Sequence, residues 1–400
     1  MPYDIVLYGC TGFTGKLATA YLAKTYGDTI KWAVAGRSKE RVQKVADTIG
    51  EGIPDVIIAD SQNEKELLAM VKKTKVMAST AGPFARYGSL LVKVCAENGV
   101  DYTDITGETN WVREMIAKYD DVARKSGARI VSFCGHDSIP WDLSTYMLAN
   151  KLKEGGEDLV KVDFYDDIDS APSGGTLETA FAIMFGKEKA YKFTEQKKLG
   201  YDALLKTPKG KKSDYGLKAK NVGYTVKAPS HKSLPYRSFF FMAPVNANSV
   251  KRSNALNGYG AQITYCEGTS FKSFFAAFFY VLSWAIYGIG VYIAPIRAIM
   301  RAVWLPKPGE GPSEQAMDNG HLYVLGVAKG DKGTVVKCTM GFEVDPGYKD
   351  TARMLVESAL ALSLDGKKIK SEGGVLTPGA CQKEVLLDRL LKTGTAFEFH

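Results

Sequence analysis

Gly9-Cys-Thr-Gly12-Phe-Thr-Gly15 sets three glycines three residues apart, directly after the apolar run Tyr3–Tyr8 and before the helix-spaced segment Lys16–Lys24. Glycines at a strand-to-helix turn let the backbone bend tightly and bring its amides against a pyrophosphate seated on the helix N-terminus. The spacing is GxxGxxG rather than GxGxxG, with Thr11 in place of the middle glycine. Strand before and helix after select a dinucleotide cradle over a plain turn, and assign Gly9, Thr11, Gly12, Phe13, Thr14 and Gly15 to the cofactor. The next strand ends Ala35-Gly36-Arg37-Ser38, with no acid for ribose hydroxyls. An arginine there accommodates a 2′-phosphate, so Arg37 and Ser38 point to NADP(H). The plain alternative is a solvated arginine opening the next helix. Asp60, ending the third strand, has two open readings: acceptor of the adenine amino group, or turn acid.

Three more loops follow later strands of the same kind: Thr80–Gly88, Asp104–Glu108 and Gly135–Asp142. Each mixes glycine with titratable or hydroxyl groups, as a nicotinamide and substrate pocket needs, and Ala81, Gly82 and Pro83 join the cofactor set. Hydride reduction of a carbonyl or alkene requires a proton donor, for which Tyr87, Asp104, Asp137 and Ser138 are the candidates. An aspartate donates near neutral pH only if burial raises its pKa. Asp104 and Asp137 also suit the plain role of acids that hold turns, where Gly, Pro, Asp and Ser are common.

The elements that must position these loops are short β-rich runs recurring about every 25 residues. They are Tyr3–Tyr8, Lys31–Ala35, Asp55–Ala59, Val76–Thr80, Asp101–Asp104 and Arg129–Phe133. Helix-spaced segments such as Glu40–Ile49 and Leu90–Asn98 alternate with them, which is the signature of a Rossmann-type, doubly wound parallel α/β sheet. A chain of 400 residues allows about two domains. Its six cysteines are scattered without a CxxC pair and its four histidines lack metal-ligand spacing, so neither a disulfide framework nor a metal centre is expected. The strand-like start leaves no room for a signal or transit peptide. A net charge of +8 favours anionic ligands or surfaces, but no nucleic-acid-binding motif accompanies it.

These loops resemble those of the saccharopine dehydrogenase-like oxidoreductases, a family that also includes trans-acting enoyl reductases of lipid synthesis. The resemblance rests on Gly9–Gly15, Ala35–Ser38, Gly82-Pro-Phe84 with Tyr87-Gly88, Tyr102-Thr-Asp104 with Gly107-Glu108, and Asp137-Ser-Ile-Pro140 with Asp142. It continues through Ser173-Gly-Gly-Thr176, Arg252-Ser-Asn254, residues 306–312 and Gly373–Pro378. It implies a nicotinamide-dependent oxidoreductase with a nucleotide-binding domain, a mixed α/β domain, and last helices that return to the first domain. The expected layout is residues 1–145 for the first domain, 146–370 for the second and 371–400 for the return. His136 departs from the apolar or aromatic residue usual at its position, and an idiosyncratic histidine is a poor choice for shared chemistry.

Phe274–Ile296 is a stretch of 23 residues without a charge, long enough as a helix to cross a ~30 Å hydrocarbon core. A single crossing would cut the second domain, because Gly320–Val327, Gly333–Phe342 and Ala352–Leu362 read as two strands and a helix of one folded unit. The expectation is therefore monotopic contact through residues 271–305, with a membrane or lipid droplet, by one helix or by two broken near Gly288 and Gly290. A protein-buried helix or a homodimer interface is the alternative. Lys206–Arg237 carries nine basic residues against Asp214 alone, and suits either an anionic surface or a solvated loop. Together these features predict an NADP(H)-dependent reductase of a hydrophobic, lipid-linked substrate on the cytosolic face of an intracellular membrane or lipid droplet. Two other readings are a saccharopine-type amino-acid dehydrogenase and a non-catalytic scaffold retaining the nucleotide fold.

Overall fold

A computed structural model of the protein describes residues 3–50, 54–170, 194–227, 233–303, 307 and 309–400, apart from the side chains of 301–303. Ser173–Thr176, His231, Lys232, Pro306 and Pro308 lie outside the described residues.

The first sheet is parallel and built from β1 (Tyr3–Tyr8), β2 (Trp32–Gly36), β3 (Asp55–Ile58), β4 (Thr74–Ser79), β5 (Asp101–Asp104) and β6 (Arg129–Val131). Its order, β3-β2-β1-β4-β5-β6, reverses between β1 and β4, so ligands are expected outside the carboxyl ends there. β2 is buried along its whole length, as a central parallel strand must be. Asp55–Ile58, apolar enough to suggest a buried strand, is instead the sheet edge, and Ile58 is exposed.

The second sheet takes up β7 (Leu159–Asp169), β8 (Gly216–Asn221), β9 (Val226–Lys227), β10 (Tyr236–Phe239), β11 (Gln262–Phe271), β12 (His321–Gly330) and β13 (Val335–Phe342). β14 (Gly374–Leu376) joins the first sheet beside β6, while β15 (Ala396–Phe399) pairs with β13 in the second. In the second sheet β7 lies between β11, parallel to it, and β12, antiparallel to it.

Two helices make the expected domain boundaries too simple. Ile139–Glu154 runs through residue 145, starting at the β6 edge and packing on β12 and β13. The return to the first domain begins ahead of residue 371, because helix Thr351–Ser363 already packs on β1, β4, β5 and helix Phe13–Tyr26. That helix is buried on all sides, as its run of apolar and small residues requires.

Buried polar bolts hold the halves together. Arg252 is fully buried and donates to the carbonyls of Val375 and Leu204 and to Asp120 Oδ1 at 3.1 Å, while Asp120 Oδ1 also accepts the Val375 amide at 2.9 Å. Asn254 folds the turn to Gly260, and Ser253 bonds Thr377. Arg252-Ser-Asn254 is thus a structural joint. In the basic stretch, Lys206 and Arg237 are buried, whereas Lys209, Lys211, Lys212, Lys218, Lys220 and Lys227 are exposed.

The apolar stretch folds into a helical hairpin. Its first helix, Phe274–Tyr292, passes unbroken through Gly288 and Gly290 and stops at Ile293, which is extended. The break falls there because Pro295 lacks an amide and fits only the opening turn of a new helix, Ala294–Val303. Gly290 lets the second helix pack closely, since a Cβ on it would lie 2.8 Å from Met300 Sδ. Only Ala277, Gly290 and Val291 of the first helix are buried, so it is not a protein-buried helix within this chain. Its outer stripe exposes Phe275, Phe279, Leu282, Ile286 and Ile289.

Candidate active site

The cofactor cradle is made of backbone. Gly9 adopts φ +89°, a conformation that L side chains rarely take. A Cβ on Gly15 would sit 2.3 Å from the Gly9 carbonyl oxygen, so only glycine lets helix Phe13–Tyr26 start so close to β1. Gly12 is the reverse case, because its Cβ would meet only Gly9 O at 3.5 Å and otherwise point into open space. Gly12 caps the helix without a side-chain bond and no acid occupies the first turn, which leaves bare amides for an anion. Thr80 donates from Oγ1 to Gly9 O at 2.9 Å and so ties the end of β4 to this loop.

Arg37 projects into solvent beyond β2 and makes no ion pair among the described residues, while Ser38 caps the next helix through Arg41 N. Asp60 Oδ1 accepts from Gln62 N at 2.9 Å, so the turn role is filled by one of its oxygens. Gly82 and Pro83 lead into the short helix Phe84–Tyr87, whose first amides, Phe84 N and Ala85 N, are capped by the buried Glu108 carboxylate. Ala81 lies between that turn and the cradle, its amide 2.8 Å from where a Gly9 Cβ would be. These features fit an anionic dinucleotide carrying a 2′-phosphate.

The four expected proton donors separate. Asp104 has no accessible surface; its Oδ1 accepts the amides of Thr106 at 3.1 Å and Phe133 at 3.3 Å, and its Oδ2 accepts Ser132 Oγ. Those bonds hold Phe133 at φ +68°, a strained elbow for a bulky residue, which aims the loop that follows. Burial pushes the Asp104 carboxyl up to about 7, but its work is to position that loop. Ser138 is equally inaccessible and donates to the Asp137 carbonyl. Both are buried in this structure and bonded within their own loops. Tyr87 is half-buried on its short helix, with the Arg86 guanidinium 5.7 Å from its ring centre.

Asp137 keeps 35% of its side-chain surface accessible, yet enough protein surrounds it to push its carboxyl up to about 7. His136 Nε2 lies 3.5 Å from Asp137 Oδ1, in a cage with the Trp141 and Phe240 rings at 5.3 and 6.5 Å. Burial there lowers the imidazole to about 3, so it is neutral at physiological pH. It therefore brings no positive charge that would pull the Asp137 pKa back down.

Behind it lies a buried polar group that sequence reasoning missed. Trp141 Nε1 donates at 3.1 Å to Asp166 Oδ1 on β7. Glu267 on the neighbouring β11 accepts from Asn246 Nδ2 at 2.7 Å and from the Tyr265 hydroxyl. β7 and β11 align with Phe164 opposite Glu267 and Asp166 opposite Thr269, so both acids face the same side. Burial raises both carboxyls, Asp166 to about 7; Glu267 is raised further by Asp166 and, more weakly, by Asp137. Asp166 Oδ2, Asn246 Oδ1 and His136 Nδ1 are buried without a partner among the described residues. Nothing short-range in the sequence signals this group, because strand register alone assembles it.

Comparison with known proteins agrees with this geometry. The family described as "Saccharopine dehydrogenase NADP binding domain" matches residues 5–131, ending with β6. A trans-acting enoyl reductase of Mycobacterium tuberculosis is 36% identical, over 98% of this chain and 96% of its own. That of Mycobacterium ulcerans is 35% identical over the same shares. Among solved structures, saccharopine dehydrogenase of Saccharomyces cerevisiae superposes with a TM-score of 0.55 at 14% identity, over the whole of both chains. Homospermidine synthase of Legionella pneumophila reaches 0.52 at 11% identity, covering 100% of this chain and 92% of its own; both likenesses concern the fold. The chain belongs to the saccharopine dehydrogenase-like family related to the trans-acting enoyl reductases, and is an NADP(H)-binding oxidoreductase.

Proposed function

We propose that the enzyme reduces a carbon–carbon double bond conjugated to a carbonyl in a lipid-linked substrate, drawn from a membrane or lipid-droplet surface on which its helical hairpin rests. The observation that carries this reading is one strand. β11 bears Glu267 and Thr269 on one face and ends at Phe271, immediately before the exposed apolar hairpin. Lys227 is in register with Tyr236, whose ring contacts Phe274, and Lys272 precedes the helix, so cations lie at its root. The hairpin returns the chain to the same fold: a Cβ on Gly311 would run into the Phe13 ring of the cradle. That topology favours contact with one leaflet over a crossing.

When bound, NADPH supplies a hydride for the β-carbon. Asp137 gives the matching proton to the α-carbon, leaving a saturated bond and NADP⁺, and regains a proton from solvent through its accessible side. His136 orients it without competing for the proton. The amino-acid dehydrogenase reading needs convergent arginines for two carboxylates. Arg113, Arg129, Arg252, Arg353 and Arg389 are each engaged by an aspartate or glutamate of the fold; the buried Arg237, 3.5 Å from Asp163, is the arginine that reading would still use, its Nε and Nη2 having no hydrogen-bond partner among the described residues.

The test follows NADPH oxidation with a trans-2-hexadecenoyl thioester in the presence of anionic phospholipid vesicles, with flotation measured in parallel. A product heavier by two hydrogens and co-flotation support the proposal. Turnover of saccharopine instead, or flotation unaffected by removing residues 274–296, overturns it.

A further inference from the structure

The run Phe239-Phe240-Phe241-Met242 begins at the last residue of β10 and passes between the hairpin and the loop after β5. Phe240 is buried, with its ring 5.8 Å from Trp141 and 6.5 Å from His136. Phe241, 45% exposed, touches Phe240 at 5.3 Å and Trp284 at 4.7 Å between ring centres. Trp284 belongs to the inner stripe of helix Phe274–Tyr292, one turn from Tyr280 and beside Tyr287. Met242 Cε reaches the loop after β5, 3.4 Å from where a Gly107 Cβ would stand. One turn beyond Trp284, Gly288 faces open space, with nothing within 4 Å of a Cβ built on it.

Rings therefore continue from His136, beside Asp137, through Phe240 and Phe241 to Trp284 on the exposed helix. A charged or small polar substrate needs no such surface, and a large aromatic left half in water is costly unless something covers it. We propose that Phe241 and Trp284, backed by the buried Phe240, form the wall along which the substrate's linear apolar chain lies, and that they set the preference for chain length. The wall's occupant is an alkyl or polyprenyl chain, with its reactive end at Asp137 and its far end in the surface that the hairpin contacts. The inference rests on the proposed reductase activity for the reacting end and on the proposed surface contact for the far end, while the wall itself can be tested by binding.

The experiment compares crotonyl and trans-2-hexadecenoyl thioesters on the full chain and on the variants Phe241→Ala/Trp284→Ala and Gly288→Phe. Losing two ring contacts should raise KM for the long thioester about tenfold, with kcat and the short thioester changed less than about threefold. Gly288→Phe, whose ring enters open space rather than the core, should also raise KM for the long thioester selectively. Parallel shifts for both chain lengths, or no shift in either variant, overturn the wall. Binding of the fluorescent chain probe cis-parinaric acid gives the independent readout. Affinity about tenfold weaker in the double variant supports the wall even if no thioester is turned over, a result that would count against the reductase reading alone. Unchanged probe affinity, with NADPH affinity and near-UV circular dichroism intact, overturns the wall whatever the activity.

Discussion

The two sides of the active site are built from different materials. On the cofactor side, Gly9, Gly12 and Gly15 act through what they lack, and the ligand meets backbone amides within one turn of chain. The proposed substrate side gathers Asp137, Asp166, Glu267 and Asn246, side chains contributed by a loop, two strands and a helix far apart in sequence. A backbone site is local, so its residue types and spacing are dictated together. A side-chain site is gathered by sheet pairing, and each member looks ordinary in its own neighbourhood.

The largest effect should come from the substrate side. Asp137→Asn preserves shape but removes the proton, and should lower the single-turnover reduction rate by about 10²–10⁴-fold while NADPH affinity holds. Because a donor must be protonated, kcat/KM of the native enzyme should fall as pH rises through about 7, the value to which burial brings Asp137. That alkaline limb should vanish from the variant's residual rate. A limb that persists in Asp137→Asn would mean that a group other than Asp137 carries the proton.

Gly12→Val and Gly15→Ala sharpen the contrast from the other side. A side chain at Gly12 enters the open space meant for pyrophosphate, so NADPH affinity should fall about hundredfold with little change in melting temperature. At Gly15 the added carbon strikes the Gly9 carbonyl, so stability should fall along with affinity. Equal losses of stability in both variants would mean that the loop is merely a tight turn. Arg37→Glu is expected to be milder, weakening NADPH about tenfold and leaving NADH nearly unchanged, as titration by tryptophan fluorescence would read it.

The boundary between legible and illegible follows the same physics. The turn at Gly9–Gly15 and the six first strands could be read because period and residue type act over a few neighbours. The apolar stretch announced itself by composition, but its bend depended on Pro295 lacking an amide rather than on the helix tolerating Gly288 and Gly290. Asp104 and Asp137 were indistinguishable as acids in Gly-containing loops. Only the left-handed elbow at Phe133 shows that one clamps the turn while the other keeps accessible surface. Asp166 and Glu267 carried no signal, because alternation marks them as inward-facing strand positions where an apolar residue would be the default.

The smallest effect separates holding a fold from doing chemistry. Asp104 and Asp166 are fully buried, each with its carboxyl raised to about 7, against about 4 in an unfolded chain. Between those values the folded protein binds more protons than the unfolded one, so these two groups make stability decline as pH rises from about 4 to about 7. His136, lowered to about 3, acts in the opposite sense between about 3 and 6.5, where the unfolded chain binds the extra proton. Asp166→Asn keeps the acceptor for Trp141 and removes one titration, so the melting temperature should drop less between pH 5 and pH 7.5 than in the native protein, by about 3 °C. The same substitution leaves Asp137 in place, and its reduction rate should retain the alkaline limb near pH 7. A variant that flattened both profiles would make the buried polar group part of the proton path, and the division between scaffold and chemistry would then lie one strand deeper.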